Sequence, residues 1–482
     1  MTRIGRLGLA LVIMLGLLFV AAAPLVPARA EAMQTYVVLY KKLAVPAEAT
    51  SVIDGAGGVL LYSYDRIGVA IAQSDDAAFR DRLLKEKSIE SVSSTAGFGV
   101  KLNDEVIEVD EEDLPAEQMV YDDPYFSRQW DMRQIHVPEA HLVTMGSPDV
   151  VVGDIVTGLD YTHPDLAANV DFSNSVSCVG GVPNQDPAAW MDEHGHGTHT
   201  AGTIAALANN GIGVIGVAPN VKIAGIKAGN DDGYFFPEAV ICAFMWAGDH
   251  HLDVTNNSYY ADPWLFNCRN DHEQHAIWKA EQRAIRYAMS QGVTVVAAQG
   301  NENMDLAKKN YDDTSPDYPP GSEIDRQITN ACVQIPNEIP GVIGVTANGS
   351  LLQKSAYSSY GVGVTQVVAP GGDSRRYQDP GDGSRGAVYS TYPGNRYVGM
   401  TGTSMASPHV AGVAALILSE YGKMPPGRVQ AIINQTAEPQ PCPPNPFDPS
   451  GTGRYLAICQ GGIGYNSFYG HGQVDAYNAV TR

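Results

Sequence analysis

The chain has 482 residues, more than three times the ~150 of a typical domain, so several parts and a sizeable core are expected. A composition of 44% apolar, 17% charged and 8% aromatic residues suits a packed globular protein and excludes global disorder. Its 53 acidic residues outweigh 31 Lys and Arg, and the resulting net charge of −22 excludes a basic footprint for nucleic acid.

Arg3 and Arg6 precede seventeen uncharged, largely apolar residues, Leu7 to Ala23, and then Pro24, Pro27 and an Ala28-Arg29-Ala30 site. Residues 1–30 therefore read as a secretory signal peptide, and the mature chain as secreted. No later apolar run is long enough to span a bilayer, so no stable membrane association is expected. Next, strand-like Tyr36 to Tyr40, Gly58 to Tyr64, Gly68 to Gln73 and Ile89 to Val100, with an amphipathic helix over Asp75 to Lys87, fit the βαββαβ order of a small ferredoxin-like α+β domain, 31–103. From Asp104 to Asp123 the chain carries ten acids and no base, so 104–122 reads as an acidic linker. Beyond it, strands at Val150 to Val156, Val221 to Ile226, Val293 to Ala298 and Val342 to Thr346 alternate with helices at His199 to Ala208 and Glu273 to Gln291. This alternation predicts an α/β domain, 123–482, with a doubly wound, mostly parallel sheet and its chemistry on the loops at the strands' carboxyl ends.

All six cysteines follow the linker, and an even count in an exported protein points to disulfides. Cys442 and Cys459 bracket a Pro/Gly-rich loop, Cys268 and Cys332 lie in loop-like stretches, and Cys178 with Cys242 is left by elimination. A buried free thiol is the alternative for Cys242, which lies in a helical run.

Three segments carry chemistry. Gly402-Thr403-Ser404-Met405-Ala406-Ser407-Pro408-His409 sets a serine at the start of an apolar helical run, where free backbone N–H groups and the dipole favour an attacking alkoxide. The bland reading is an N-cap. Asp192-Glu193-His194-Gly195-His196-Gly197-Thr198-His199 opens another helix with glycines around an imidazole. Its histidine spacing of i, i+2, i+5 is wrong for zinc on one helix, and no thiol completes a shell. Finally, the Val293 to Ala298 strand runs into Gln299-Gly300-Asn301, offering an exposed amide of the kind an oxyanion hole uses.

Together these segments resemble the subtilisin-like serine proteases. GTSMASPHVAG matches the family's nucleophile at Ser404, GHGTHTAG its general base at His196, and AQGN its oxyanion amide at Asn301. The resemblance extends to DPYFSRQW, to Thr162 to Leu166, to Asn209 to Pro219, and to the front domain, which is similar to the family's inhibitory propeptide. It implies a structural calcium ion held by Asp123, Asp165, the side chain of Asn210 and the carbonyls of Ile212 and Val214. It also implies polypeptide substrates paired along an edge that here reads Ser258-Tyr259-Tyr260, where Tyr260 narrows the specificity pocket.

One position departs from the family pattern. Where members place the aspartate that bonds the catalytic imidazole, Gly153-Asp154-Ile155-Val156-Thr157-Gly158 puts Val156. Asp154 shares its strand face but, at ~3.3 Å per residue, stands nearly 7 Å away, and a two-residue slip that brought it into place would displace Thr157-Gly158. Asp154 is accordingly expected as a lone, costly buried carboxylate. Two function classes follow. One is a secreted endopeptidase using Ser404, His196 and Asn301, weakened at Val156; the other is a non-catalytic peptide-binding relative.

Overall fold

A computed structural model describes residues 33–95, 99–108, 120–317, 319, 321–373 and 378–482. The expected signal peptide and the middle of the acidic linker lie outside the described residues.

The N-terminal unit is built from β1 (Gln34–Tyr40), α1 (Ala49–Gly55), β2 (Val59–Tyr64), β3 (Val69–Ser74), α2 (Phe79–Leu83) and β4 (Ile89–Ser94). The strands form one antiparallel sheet in the order β2-β3-β1-β4, which is the ferredoxin-like topology the sequence predicts. Alternation along β1 explains the two faces. Tyr36, Val38 and Tyr40 pack on Ile53, Phe79 and Leu83 of the helices, whereas Val37 and Leu39 join a core shared with the next domain. Two elements are shorter than expected. The α2 segment waits until the Asp76 carboxylate has bonded the N–H of Ala78 (2.8 Å), and β4 stops at Ser94.

After β5 (Glu105–Ile107), the large domain is organised around β6 (Val151–Val156), β7 (Val176–Ser177), α3 (His196–Ala205), β8 (Lys222–Lys227), α4 (Pro237–Asp249), β9 (Val254–Asn257), α5 (His275–Ser290), β10 (Thr294–Ala298), β11 (Ile343–Asn348) and β12 (Val367–Pro370). The hairpin β13 (Val388–Tyr392) and β14 (Arg396–Thr401) follows, and then α6 (Thr403–Tyr421). The seven-stranded sheet runs β12-β11-β10-β9-β6-β8-β7, with every neighbour pair parallel. α6 is apolar nearly all round and buried from Thr403 to Leu418, so it is a core helix rather than a surface one. The sequence does not single out β9, because its Thr255, Asn256 and Asn257 are polar, yet all three are fully buried.

The disulfides Cys178–Cys242, Cys268–Cys332 and Cys442–Cys459 are formed, leaving no free thiol. The N-terminal sheet lies on α4 and α5. Glu90 reaches Lys279 (2.5 Å), Arg283 (3.3 Å) and His275 (3.4 Å), while Arg283 donates to the carbonyls of Tyr40 and Ile67 (2.9 Å each). Among the described residues no helix is long and apolar enough to cross a membrane.

Candidate active site

The three sequence segments converge at the carboxyl ends of β6 and β10 and the start of α6, as a parallel α/β sheet requires. His196 is the first residue of α3. Its helix start is held by Asp192, whose Oδ1 accepts from the N–H of Gly195 (2.9 Å) and His194 (3.1 Å), and whose Oδ2 accepts from the N–H (2.8 Å) and hydroxyl (2.7 Å) of Thr198. A carboxylate at this end satisfies orphan donors and complements the dipole. Gly195 precedes the helix at φ 102°, and a Cβ there would run into the Tyr392 ring, so both backbone and space demand glycine.

Asn301 is fixed from the other side. Its Oδ1 accepts from the N–H and the hydroxyl of Thr403, each at 2.9 Å, which directs Nδ2 into the cleft. Ser404 is buried at the head of α6, and its Oγ donates to the carbonyl of Ser258 (3.3 Å). The expected partner of His196 is missing. Val156 ends β6 in register with Lys227 of β8, so the strand has not slipped, and His196 Nδ1 is buried with no hydrogen-bond partner.

Asp154 corrects an expectation. It is not a lone carboxylate: Thr200 donates to Oδ2 (2.7 Å) and the Asn256 amide to Oδ1 (2.8 Å). The Asn256 amide also donates to Ser258 Oγ (3.1 Å), its Oδ1 accepts from Ser407 (2.6 Å), and Ser258 Oγ donates to the carbonyl of Ser404 (2.8 Å). This buried polar chain joins the first turns of α3 and α6. Burial pushes the Asp154 carboxyl up to about 7, against the pull of its two donors. His199 turns away, with Nε2 against the carbonyls of Val388 (3.2 Å) and Val398 (3.3 Å), and burial drives its pKa down to about 3.

The linker runs through this cleft. Val100 N–H donates to Asp262 Oδ1 (2.6 Å) and Lys101 N–H to Asp317 Oδ1 (3.0 Å), and past the site Glu105, Val106 and Ile107 pair with Thr401, Met400 and Gly399 of β14. The strand pairing thus lies on β14. On the other wall Tyr259 stacks on Phe235 at 4.3 Å and Tyr260 is buried. Between Tyr259, Tyr260, Asn301, Ser404 and residues 102–104 only about 10 Å³ is left, no more than one water needs. Asp104 faces the candidate groups directly: its Oδ2 is 3.0 Å from His196 Nε2 and its Oδ1 2.9 Å from Asn301 Nδ2.

At the expected metal site Asp123 and Asp165 are fully buried beside one another. Asp165 accepts from the Asn210 amide (2.7 Å), Val214 N–H (3.1 Å) and Tyr397 hydroxyl (3.3 Å), and Asp123 from Asn209 N–H (2.7 Å). Burial raises both carboxyls, Asp165 to about 6, and the Asp123 charge adds to its shift.

Nothing in the sequence singles out Asp104, one linker acid among ten, or Thr403, Thr200 and Asn256, which act through partners distant in the chain.

The model of the subtilase family matches residues 147–472, and the chain belongs to that family of serine proteases. Curated relatives include a thermophilic serine proteinase of Bacillus sp. strain AK1, 32% identical over 74% of this chain and 68% of its own, and thermitase of Thermoactinomyces vulgaris, 31% identical over 74% and 98%. In fold, the chain is similar to an epidermin leader peptide processing serine protease of Staphylococcus aureus, with a TM-score of 0.69, 22% identity, and 93% of this chain and 99% of that one covered.

Proposed function

We propose that this chain is the precursor of a secreted serine endopeptidase in which Ser404 attacks a peptide carbonyl, His196 carries the proton and the Asn301 amide holds the oxyanion. Residues 31–103 act as its inhibitory propeptide, 104–122 as the linker to be cut, and 123–482 as the peptidase acting on polypeptides. The observation that carries this reading is the linker itself. An extended chain already lies in the cleft, paired on β14 and pressed between Ser404, His196 and Asn301. With valine at 156, no internal acceptor fixes the Nδ1 proton of His196 as a triad requires, so turnover is slow.

Calcium binding at Asp123, Asp165, Asn210 and the carbonyls of Ile212 and Val214 belongs to the same reading. Two buried carboxylates lie together there, and among the described residues no Lys or Arg pairs with either, which suits a hard divalent cation. Asn210, whose nitrogen now donates to Asp165 while its oxygen accepts from Ile212 N–H (3.0 Å), would have to turn to serve as a ligand. Bound calcium would neutralise the pair and tie the Asn209–Val214 loop to Asp123.

The orphaned Nδ1 favours a second reading, a non-catalytic peptide-binding relative. A fluorophosphonate probe applied to linker-cleaved protein separates the two: labelling that Ser404→Ala abolishes supports the enzyme, and absence of labelling supports the binder.

A further inference from the structure

Asp104 is held more closely than a passing linker residue needs. Its side chain is 2% exposed, and its two carboxylate oxygens bridge His196 Nε2 (3.0 Å) and Asn301 Nδ2 (2.9 Å). Glycine at 402 makes room for it, because a Cβ there would fall 1.8 Å from Asp104 Oδ1. The chain is anchored on both sides, at Val100 and Lys101 before it and Glu105 to Ile107 after it.

A neutral imidazole carries one ring proton. In a working triad an aspartate accepts it at Nδ1, which leaves the Nε2 lone pair to take the serine proton. Here Nδ1 has no acceptor, whereas Nε2 faces a carboxylate that can only accept. Both facts drive the proton to Nε2, where it removes the base. The other carboxylate oxygen takes the Asn301 donor that a tetrahedral oxyanion needs.

We propose that the cleft is a carboxylate-binding site, filled in cis by Asp104, which holds His196 in its Nε2–H form and so keeps the nucleophile unassisted in the precursor. The proposal rests on the enzyme reading for its consequence and not for the site itself.

The test has two arms. In full-length Ser404→Ala protein labelled with ¹⁵N-histidine, ring ¹H–¹⁵N correlations, assigned with His196→Gln, should place the His196 proton on Nε2, and Asp104→Ala and Asp104→Asn should both move those signals. In chains that keep Ser404, Asp104→Ala should speed self-cleavage about tenfold or more, the worth of one charge-assisted hydrogen bond, with Val156 and with Val156→Asp alike. Unmoved His196 signals in both Asp104 variants would overturn the proposal. So would cleavage that Val156→Asp accelerates and Asp104→Ala does not. If the signals move while no variant cleaves, the carboxylate site stands and the enzyme reading falls.

Discussion

The two walls of the cleft are built to different standards. On the Asn301–Ser404 wall the amide is oriented by two bonds from Thr403, and the serine is tied through Ser258 to a buried chain ending at Asp154. On the His196 wall the helix start is as carefully held, by Asp192, yet the imidazole has no internal partner and bonds only a residue of the linker. Scaffolding and proton chemistry are therefore separable in this protein. A helix can be set in place by one aspartate while the ring it presents lacks another.

The sharpest way to break this contrast is Val156→Asp, which gives Nδ1 an acceptor at the correct register. In subtilisin itself, loss of the equivalent aspartate costs about 3 × 10⁴ in kcat, so restoring it should raise self-cleavage by up to about 10⁴-fold. A gel time course of purified precursors, with Ser404→Ala as the blank, reads this. Cleavage of the unaltered chain at the speed of the variant would mean that Val156 is no defect.

A second measure concerns the buried carboxylate pair Asp123 and Asp165. Calcium at 100 times its dissociation constant should stabilise the folded chain by about 2.7 kcal/mol. Thermal unfolding in calcium and in chelator should differ accordingly, and Asp165→Asn should abolish the difference.

The buried chain behind Ser404 comes next. Asp154→Ala removes the acceptor for Thr200 and Asn256 and should cost about 1–3 kcal/mol. The cost has a pH signature. The folded chain keeps the Asp154 proton up to about 7, whereas the unfolded chain releases it near pH 4, so this residue's contribution to stability falls as pH rises through that window. Denaturation of the Ser404→Ala protein should accordingly give a larger Asp154→Ala penalty at pH 5 than at pH 8. A penalty that grows with pH would identify Asp154 as a charge stabilised by its partners.

The smallest expected effect lies far from the cleft, where His136 Nδ1 meets Asp475 at 2.8 Å beside Glu438. Burial lowers this histidine's pKa, but the hydrogen bond and charge of Asp475 raise it more. Its contribution is present below the ordinary histidine range and is lost as pH rises through the raised value. With the ring partly exposed, His136→Ala should cost under about 1 kcal/mol near pH 5.5 and nothing by pH 9, read as the difference in denaturation midpoint.

How much of this is legible in the sequence depends on distance along the chain. The N-terminal topology and most of the parallel strands are legible because period-two patterns and β/α alternation are local. His196, Ser404 and Asn301 stand in contiguous motifs, and the vacancy at Val156 is legible for the same reason. β9 is not, since its buried Thr255, Asn256 and Asn257 contradict the apolar pattern of a central strand, and Asn256 finds Asp154 and Ser407 on other elements. The Asp154 network is hidden likewise: Asp154, Thr200, Asn256 and Ser407 are far apart in sequence, and only the packing of α3 and α6 on the sheet brings them together. Asp104 is hidden by abundance, one of ten acids whose role is set by the strand that carries it past β14.

The pairing of Glu105 to Ile107 with β14 has a further consequence, best expressed as concentration. A lone carboxylate facing an imidazole and an amide is a weak ligand, and free in solution it would have to be abundant to occupy the cleft. Anchored on both sides, Asp104 is presented at the effective concentration of an intramolecular group, in the millimolar range or above. Its hold thus depends on the continuity of the backbone more than on the strength of its own contacts. A cut on its C-terminal side would leave Asp104 on the separated N-terminal unit and make occupancy of the cleft depend on volume, whereas a cut on its N-terminal side would leave it tethered to the peptidase domain through Glu105 to Ile107.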